Sequence, residues 1–220
     1  IFQFATIALF LSLLRRGWTW SRLCLLGLCT IVPFFLRANL IALQAAAFLA
    51  LALGTLAQRD WRRLGQLVAG YAASAAVVAG GIVSYFLAHH ALGDFLRAAF
   101  VFNTVYTTLS GTLDNRLLFL QGGVGIMPAL VVPAALTWLS LLWWRRGALP
   151  GQAPRALATL CLLALPLECI ASSLSGRQFA HYYLSWIPIT ALLTCLGLAR
   201  LAAARHRRVL LPAALLLWGM

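Results

Sequence analysis

Apolar runs of up to twenty-two residues, separated by turns that carry nearly all the arginine, leave this chain few folds to choose from. Inside a bilayer no water is available to bond the backbone, so each run must satisfy its own N–H and C=O groups, and the helix does this within one segment. A spanning helix takes about 20 apolar residues, fewer where it is short or the bilayer thins. The runs that qualify are 1–14, 23–36, 40–57, 67–88, 124–144, 156–174, 182–201 and 209–220. The reading is all-α: a polytopic transmembrane helical bundle of about eight spans, the first and last truncated. It forms one transmembrane domain over 1–220, read as a fragment of a larger membrane protein because both ends fall inside apolar runs. Pro33 near the end of the second run suggests a broken or tilted helix.

Composition closes off the soluble alternative. Only 10% of residues are charged, against roughly 25% in soluble domains. The 17 basic residues are all arginine, and the acids are Asp60, Asp94, Asp114 and Glu168, which gives a net charge of +13. A nucleic-acid binder gathers its basic residues on one solvated face, whereas here they punctuate the apolar runs, so membrane topology and anionic lipid account for them better. The alanine, leucine and arginine bias without lysine points to a GC-rich bacterial source. The five cysteines lie inside apolar runs with no C-x-x-C pair and read as small buried hydrophobes. His89, His90 and Asp94 lack ligand spacing, so no metal and no cofactor is expected. Gly122-Gly123-Val124-Gly125 follows no strand and brings no lysine, which makes it a helix start and not a phosphate loop.

The arginines also set orientation. Arg15, Arg16 and Arg22 occupy the first turn, Arg59, Arg62 and Arg63 the third, Arg145, Arg146 and Arg155 the fifth, and Arg200, Arg205, Arg207 and Arg208 the seventh. The even turns hold Arg37, then Arg97 and Arg116, then Arg177. Positive charge accumulates on the cytoplasmic side, so the turns around 15–22, 58–66, 145–155 and 200–208 are expected there, in a bacterial inner membrane. The outward turns collect the remaining polar chemistry.

The longest outward turn, 89–121, places Leu92, Phe95, Leu96, Ala99, Phe102 and Tyr106 at helical spacing, the pattern of an amphipathic helix lying along the interface. It would either anchor the re-entering chain or wall a lipid-facing groove with Asn103 and Tyr106 toward a headgroup. Glu168 lies inside a span, about 10 Å below its outward end at 1.5 Å per residue. It calls for a partner, such as Arg37 or Arg177, or a wet cavity. Arg177, His181, Tyr182 and Tyr183 suit phosphate recognition. Ala72, Ala76 and Gly80 form a small-residue stripe expected to pack helices closely.

Three segments carry a family likeness: Phe35-Leu36-Arg37-Ala38-Asn39, Gly93-Asp94-Phe95 running to Asn103 and Tyr106, and His181-Tyr182-Tyr183 followed by Trp186-Ile187-Pro188. On these the chain resembles the later membrane portion of a GT-C class glycosyltransferase, of the protein O-mannosyltransferase and aminoarabinose-transferase kind. The resemblance implies transfer of a sugar from a polyprenyl-phosphate donor to a glycan, lipid or protein acceptor at the periplasmic face. It implies substrate contacts from Arg37, Asn39, Asn103, Tyr106, Arg116, Glu168, Arg177, His181 and Tyr182. The catalytic carboxylate of that class sits in a first large outward loop, which this stretch does not contain, so no catalytic residue is assigned. Two other classes remain open: an O-antigen ligase or polymerase, which also uses outward Arg and His, and a transporter or flippase, which would show repeats and paired broken helices.

Overall fold

A computed structural model describes residues 1–36, 38–102, 104–105, 112–143, 152–174 and 179–203. These residues are helical throughout apart from short turns, with no strand among them. In chain order the helices are α1 (Phe2–Arg16), α2 (Trp20–Leu36), α3 (Ala42–Ala57), α4 (Trp61–Ala88), α5 (Leu92–Leu96), α6 (Leu113–Ile126), α7 (Pro128–Trp143), α8 (Gln152–Ser173) and α9 (Ile187–Ala203). A 3-10 turn, Ala38–Ile41, joins α2 to α3; a π turn, Arg97–Val101, extends α5; a second 3-10 stretch, Ala180–Trp186, leads into α9.

Length and hydropathy qualify three segments to cross a membrane: Trp61–Ala88, Ala153–Ser173 and His181–Ala202. A fourth arises if α6 and α7 count as one span, but they meet at 110°. This corrects the single span expected over 124–144. Met127 breaks the ladder, and Pro128, which has no N–H to donate, opens α7. The helices α2 and α3 are apolar but have 17 and 16 residues, and α1 has 15. The expected run at 209–220 lies outside the described residues. Among the described residues the count is three to four candidate spans, and eight are not confirmed.

Local chemistry sets the helix ends. Gly17, at φ 82°, takes a backbone conformation that a Cβ disfavours and stops α1. Arg22 then reaches back and donates to the Gly17 and Arg16 carbonyls at 2.7 and 3.2 Å, so one topological arginine also satisfies orphaned helix-end acceptors. Asp60 caps α4 by accepting from the Arg63 N–H at 3.0 Å, and Thr112 caps α6 by accepting from Asn115 N–H at 3.3 Å.

Lipid tails are as apolar as leucine, so burial alone does not hold such helices together; close packing and hydrogen bonds do. The α2–α4 contact is built on two glycines. A Cβ on Gly70 would meet Leu23 Cβ at 2.8 Å, and one on Gly27 would meet Ser74 Oγ at 2.6 Å. Ser74 donates across to the Cys24 carbonyl at 2.8 Å. The packing face of α4 is thus Leu67, Gly70 and Ser74. The Ala72, Ala76 and Gly80 stripe is on the exposed side, which corrects the expectation that it would be the contact. At 100° per residue, position 72 points roughly opposite to position 70.

Prolines inside helices leave carbonyls without helical donors, and at Pro33 and Pro166 side chains of neighbouring helices fill the gap. Helix α2 continues through Pro33 to Leu36, where a break or tilt was expected. The carbonyl that Pro33 orphans, that of Cys29, accepts from Gln44 Nε2 of α3 at 3.3 Å. Pro166 orphans the Leu162 carbonyl in α8, which accepts from Trp138 Nε1 of α7 at 3.1 Å. Both bonds join helices at their points of backbone weakness.

Gln3 near the start of α1, Leu43 at the start of α3 and Glu168 near the end of α8 meet in one place. Those helix ends therefore share one end of the bundle. At the other, Arg200 of α9 donates to Ser140 of α7 at 3.3 Å. The two ends group the turns as the arginine alternation does.

Candidate functional site

At the arginine-poor end, α6 meets the 3-10 stretch Ala180–Trp186 over α8. Phe119, Tyr183 and Trp186 form a buried cluster of their own, apart from the main core, with Leu120, Met127, Val131, Cys169 and Tyr182 packed around it. Phe119 and Tyr183 stack at 4.5 Å between centroids, while Trp186 meets both edge-on at 6.0 and 5.6 Å. The polar tips of these rings are satisfied. Tyr183 Oη donates to the Phe119 carbonyl at 3.0 Å, and Trp186 Nε1 donates to Ser172 Oγ at 2.8 Å. Gly123 makes this possible, since a Cβ there would lie 2.6 Å from Trp186 Cζ3 and 2.9 Å from Tyr183 Cδ1.

Upon this cluster sit three of the expected site residues. His181 is exposed, stacked on Phe179 at 5.7 Å and tilted against Tyr182 at 4.6 Å. Tyr182 is half-buried and touches Phe119 at 6.4 Å. Arg116, one turn before Phe119 on α6, is half-buried, and its Nε is shielded without a hydrogen-bond partner among the described residues. The arrangement offers an arginine and an imidazole beside aromatic walls, which is a donor set suited to an anion.

Glu168 lies beneath. It is fully buried, and its Oε1 accepts from Gln3 Nε2 at 2.6 Å and from the Leu43 N–H at 3.0 Å. The second bond makes Glu168 a cap for α3 supplied from another helix, with the positive end of that helix facing the carboxylate. Ser172 Oγ donates to the Glu168 carbonyl at 2.5 Å, which links the carboxyl-bearing turn to Trp186. The described partners of Glu168 are thus an amide, a backbone N–H and its own helix, all protein groups.

Beside this end runs the exposed helix of α5 and its π turn. An open groove of about 640 Å³ follows it, lined by Asp94, Arg97, Ala98, Val101, Phe102 and Val105. Of the helix expected over this turn, Leu92–Leu96 is α-helical and Arg97–Val101 a π turn, while Tyr106 lies outside the described residues; Phe86 stacks on Phe95 at 4.4 Å and holds α5 to the end of α4.

Among the known proteins and structures compared with this chain, no family model, no curated protein and no solved structure matches it. Its chemistry therefore rests on its own residues.

Of the nine expected substrate contacts, Arg116, Glu168, His181 and Tyr182 are described and share one end of the bundle. Arg37, Asn103, Tyr106 and Arg177 lie outside the described residues, as does the side chain of Asn39. Sequence reasoning passed over the roles of Gln3, Ser172 and Gly123. A buried acid in a span was signal enough to seek donors, but Gln3 is 165 residues away from it in sequence. Among the described residues no group of three or more His, Cys, Asp or Glu comes together.

Proposed function

We propose that this chain is the later membrane portion of a glycosyltransferase that moves a sugar from a polyprenyl-phosphate donor to an acceptor at the cell envelope of a bacterium. The observation that carries the reading is Arg116, whose shielded Nε has no partner among the described residues, placed one turn before Phe119 of the aromatic cluster that also packs Tyr182, the neighbour of His181. A departing lipid phosphate gathers negative charge. Preorganised Arg and His donors in a site of low dielectric lower the barrier by holding that charge. Arg37, Asn39, Asn103, Tyr106 and Arg177 join the site on the strength of the family resemblance. The groove along α5 suits a prenyl chain, because beyond Asp94 and Arg97 its wall is apolar, built of Ala98, Val101, Phe102 and Val105. Glu168 acts from below, by fixing the start of α3 and the turn that carries Trp186. The acidic base belongs to a loop outside this stretch.

The test is turnover of a polyprenyl-phosphate sugar by full-length protein carrying Arg177→Ala and His181→Ala together, and separately Arg116→Ala. Loss of one such donor lowers kcat by about a hundredfold or more. Wild-type rates in both variants would sink the reading.

The 110° break between α6 and α7 favours a second reading, a transporter with a discontinuous span. Transporters of that kind pair one broken span with another in the second half of the repeat. The described residues hold one such bend. Movement of a lipid-linked sugar across proteoliposomes without chemical change would favour transport over transfer.

A further inference from the structure

Half of the Glu168 carboxyl is unused. Oε1 takes both described hydrogen bonds, while Oε2, in a residue with 0% exposure, meets no hydrogen-bond partner among the described residues. The Ser185 hydroxyl lies beside the carboxyl. Its geometry falls outside a hydrogen bond to Oε2, and its proton is directed at the Tyr182 carbonyl, 3.1 Å away. The Ser185 oxygen, beside the carboxyl with its proton turned to Tyr182, thus stays available for something positive.

A helix junction lies at the same place. Helix α2 stops at Leu36, the 3-10 turn Ala38–Ile41 follows, and α3 begins at Ala42, one residue before the N–H that binds Glu168. A buried acid within an apolar helix that meets no cation is a general sign of a site for an ion or a proton.

No described cationic side chain lies within ion-pair distance of Glu168. Helix α1 presents Gln3 here and keeps Arg15 and Arg16 at its far end; α3 has no ionisable residue. Helix α8 places Cys169 beside Glu168 and Arg155 near its opposite end. The 180–186 stretch contributes Tyr182, Tyr183 and the exposed His181, α6 carries Asp114 and Arg116, and α9 carries Cys195 and Arg200.

We propose that Glu168 and Ser185, beside the junction of α2 and α3, form a buried site for one monovalent cation, a sodium ion or a proton. The two N–H donors on Oε1 fix the carboxyl, and Oε2 faces the cation together with Ser185 Oγ. Because the same carboxyl caps α3 and binds α1, occupancy tightens the junction of α1, α3 and α8. The site needs no lipid phosphate, so it stands or falls separately from the sugar-transfer reading.

Thermal unfolding of the purified full-length protein in nanodiscs of neutral lipid tests it, with no sugar donor present. Sodium chloride is compared with choline chloride at constant ionic strength, and choline alone is compared from mildly acidic to mildly alkaline pH. A sodium site raises the wild-type midpoint by several degrees in sodium. A proton site raises it on acidification without sodium. Glu168→Gln abolishes whichever response is present, and Ser185→Ala weakens the sodium response. Equal responses in wild type and Glu168→Gln, or no response in wild type, overturn the proposal. Should Glu168→Gln fail to fold, labelling of the wild type by a hydrophobic carbodiimide decides. An adduct on Glu168 suppressed by sodium, or by raised pH, supports the site. Labelling indifferent to both, or absent throughout, refutes it.

Discussion

Replacing Trp138 with phenylalanine keeps a ring in α7 but deletes the donor that serves the Leu162 carbonyl at 3.1 Å. In an ordinary helix that carbonyl would hold its own i+4 partner, and the loss would be small. Here the i+4 residue is Pro166, which has no N–H, so the carbonyl is left bare inside a span. Interhelical bonds in membranes are worth about 0.6 kcal/mol on average and about 1.7 at most, while a stranded buried acceptor costs about 1–3 kcal/mol. With no alternative donor in the helix, about 1.5 kcal/mol is expected, roughly a tenfold shift in the folded-to-unfolded ratio. The loss of ring size adds a packing term, which a double-mutant cycle removes. Pro166→Ala supplies an N–H to the Leu162 carbonyl, so Trp138→Phe in that background should lose only the packing term. The assay is unfolding in mixed micelles by sodium dodecyl sulfate titration for wild type, both single variants and the double. A coupling of about 1 kcal/mol or more supports the argument. The same loss from Trp138→Phe in both backgrounds refutes the idea that the tryptophan compensates for the proline.

Two further outcomes follow from local geometry. Gly123→Ala drives a methyl to within 2.6 Å of Trp186 and 2.9 Å of Tyr183, stiff rings on a buried face, and overpacking of this kind costs about 1–3 kcal/mol. Near-ultraviolet circular dichroism should lose aromatic signal as the 180–186 stretch lifts from α6, and Gly125→Ala, where nothing lies within 4 Å, serves as the silent control. Asp60→Ala removes both the cap on the Arg63 N–H and the 3.3 Å ion pair with Arg63, at an expected loss of about 1 kcal/mol; amide exchange over the first turn of α4 should accelerate while α8 is unchanged.

The sequence by itself determined that this chain is helical and has runs apolar enough to cross a membrane, because runs this apolar and this poor in charge satisfy their backbone within a helix. It also grouped the turns by end, since positive charge alternates along the chain, and the meeting of Gln3, Leu43 and Glu168 follows that grouping. Hydropathy measures how apolar a run is but not where its ladder stops. It therefore joined α6 to the start of α7 across Met127, and it could not distinguish helices of 15 to 17 residues from full spans. Periodicity identified α4 as a helix with small residues on one face and selected the wrong face, because the partner glycine, Gly27, is on another helix. Tertiary structure alone decided which donors serve the carbonyls orphaned by Pro33 and Pro166, and which groups hold Glu168. Those bonds join helices remote in sequence, and only packing brings Gln44 to Cys29, Trp138 to Leu162, or Gln3 to a carboxyl near the far end of the chain.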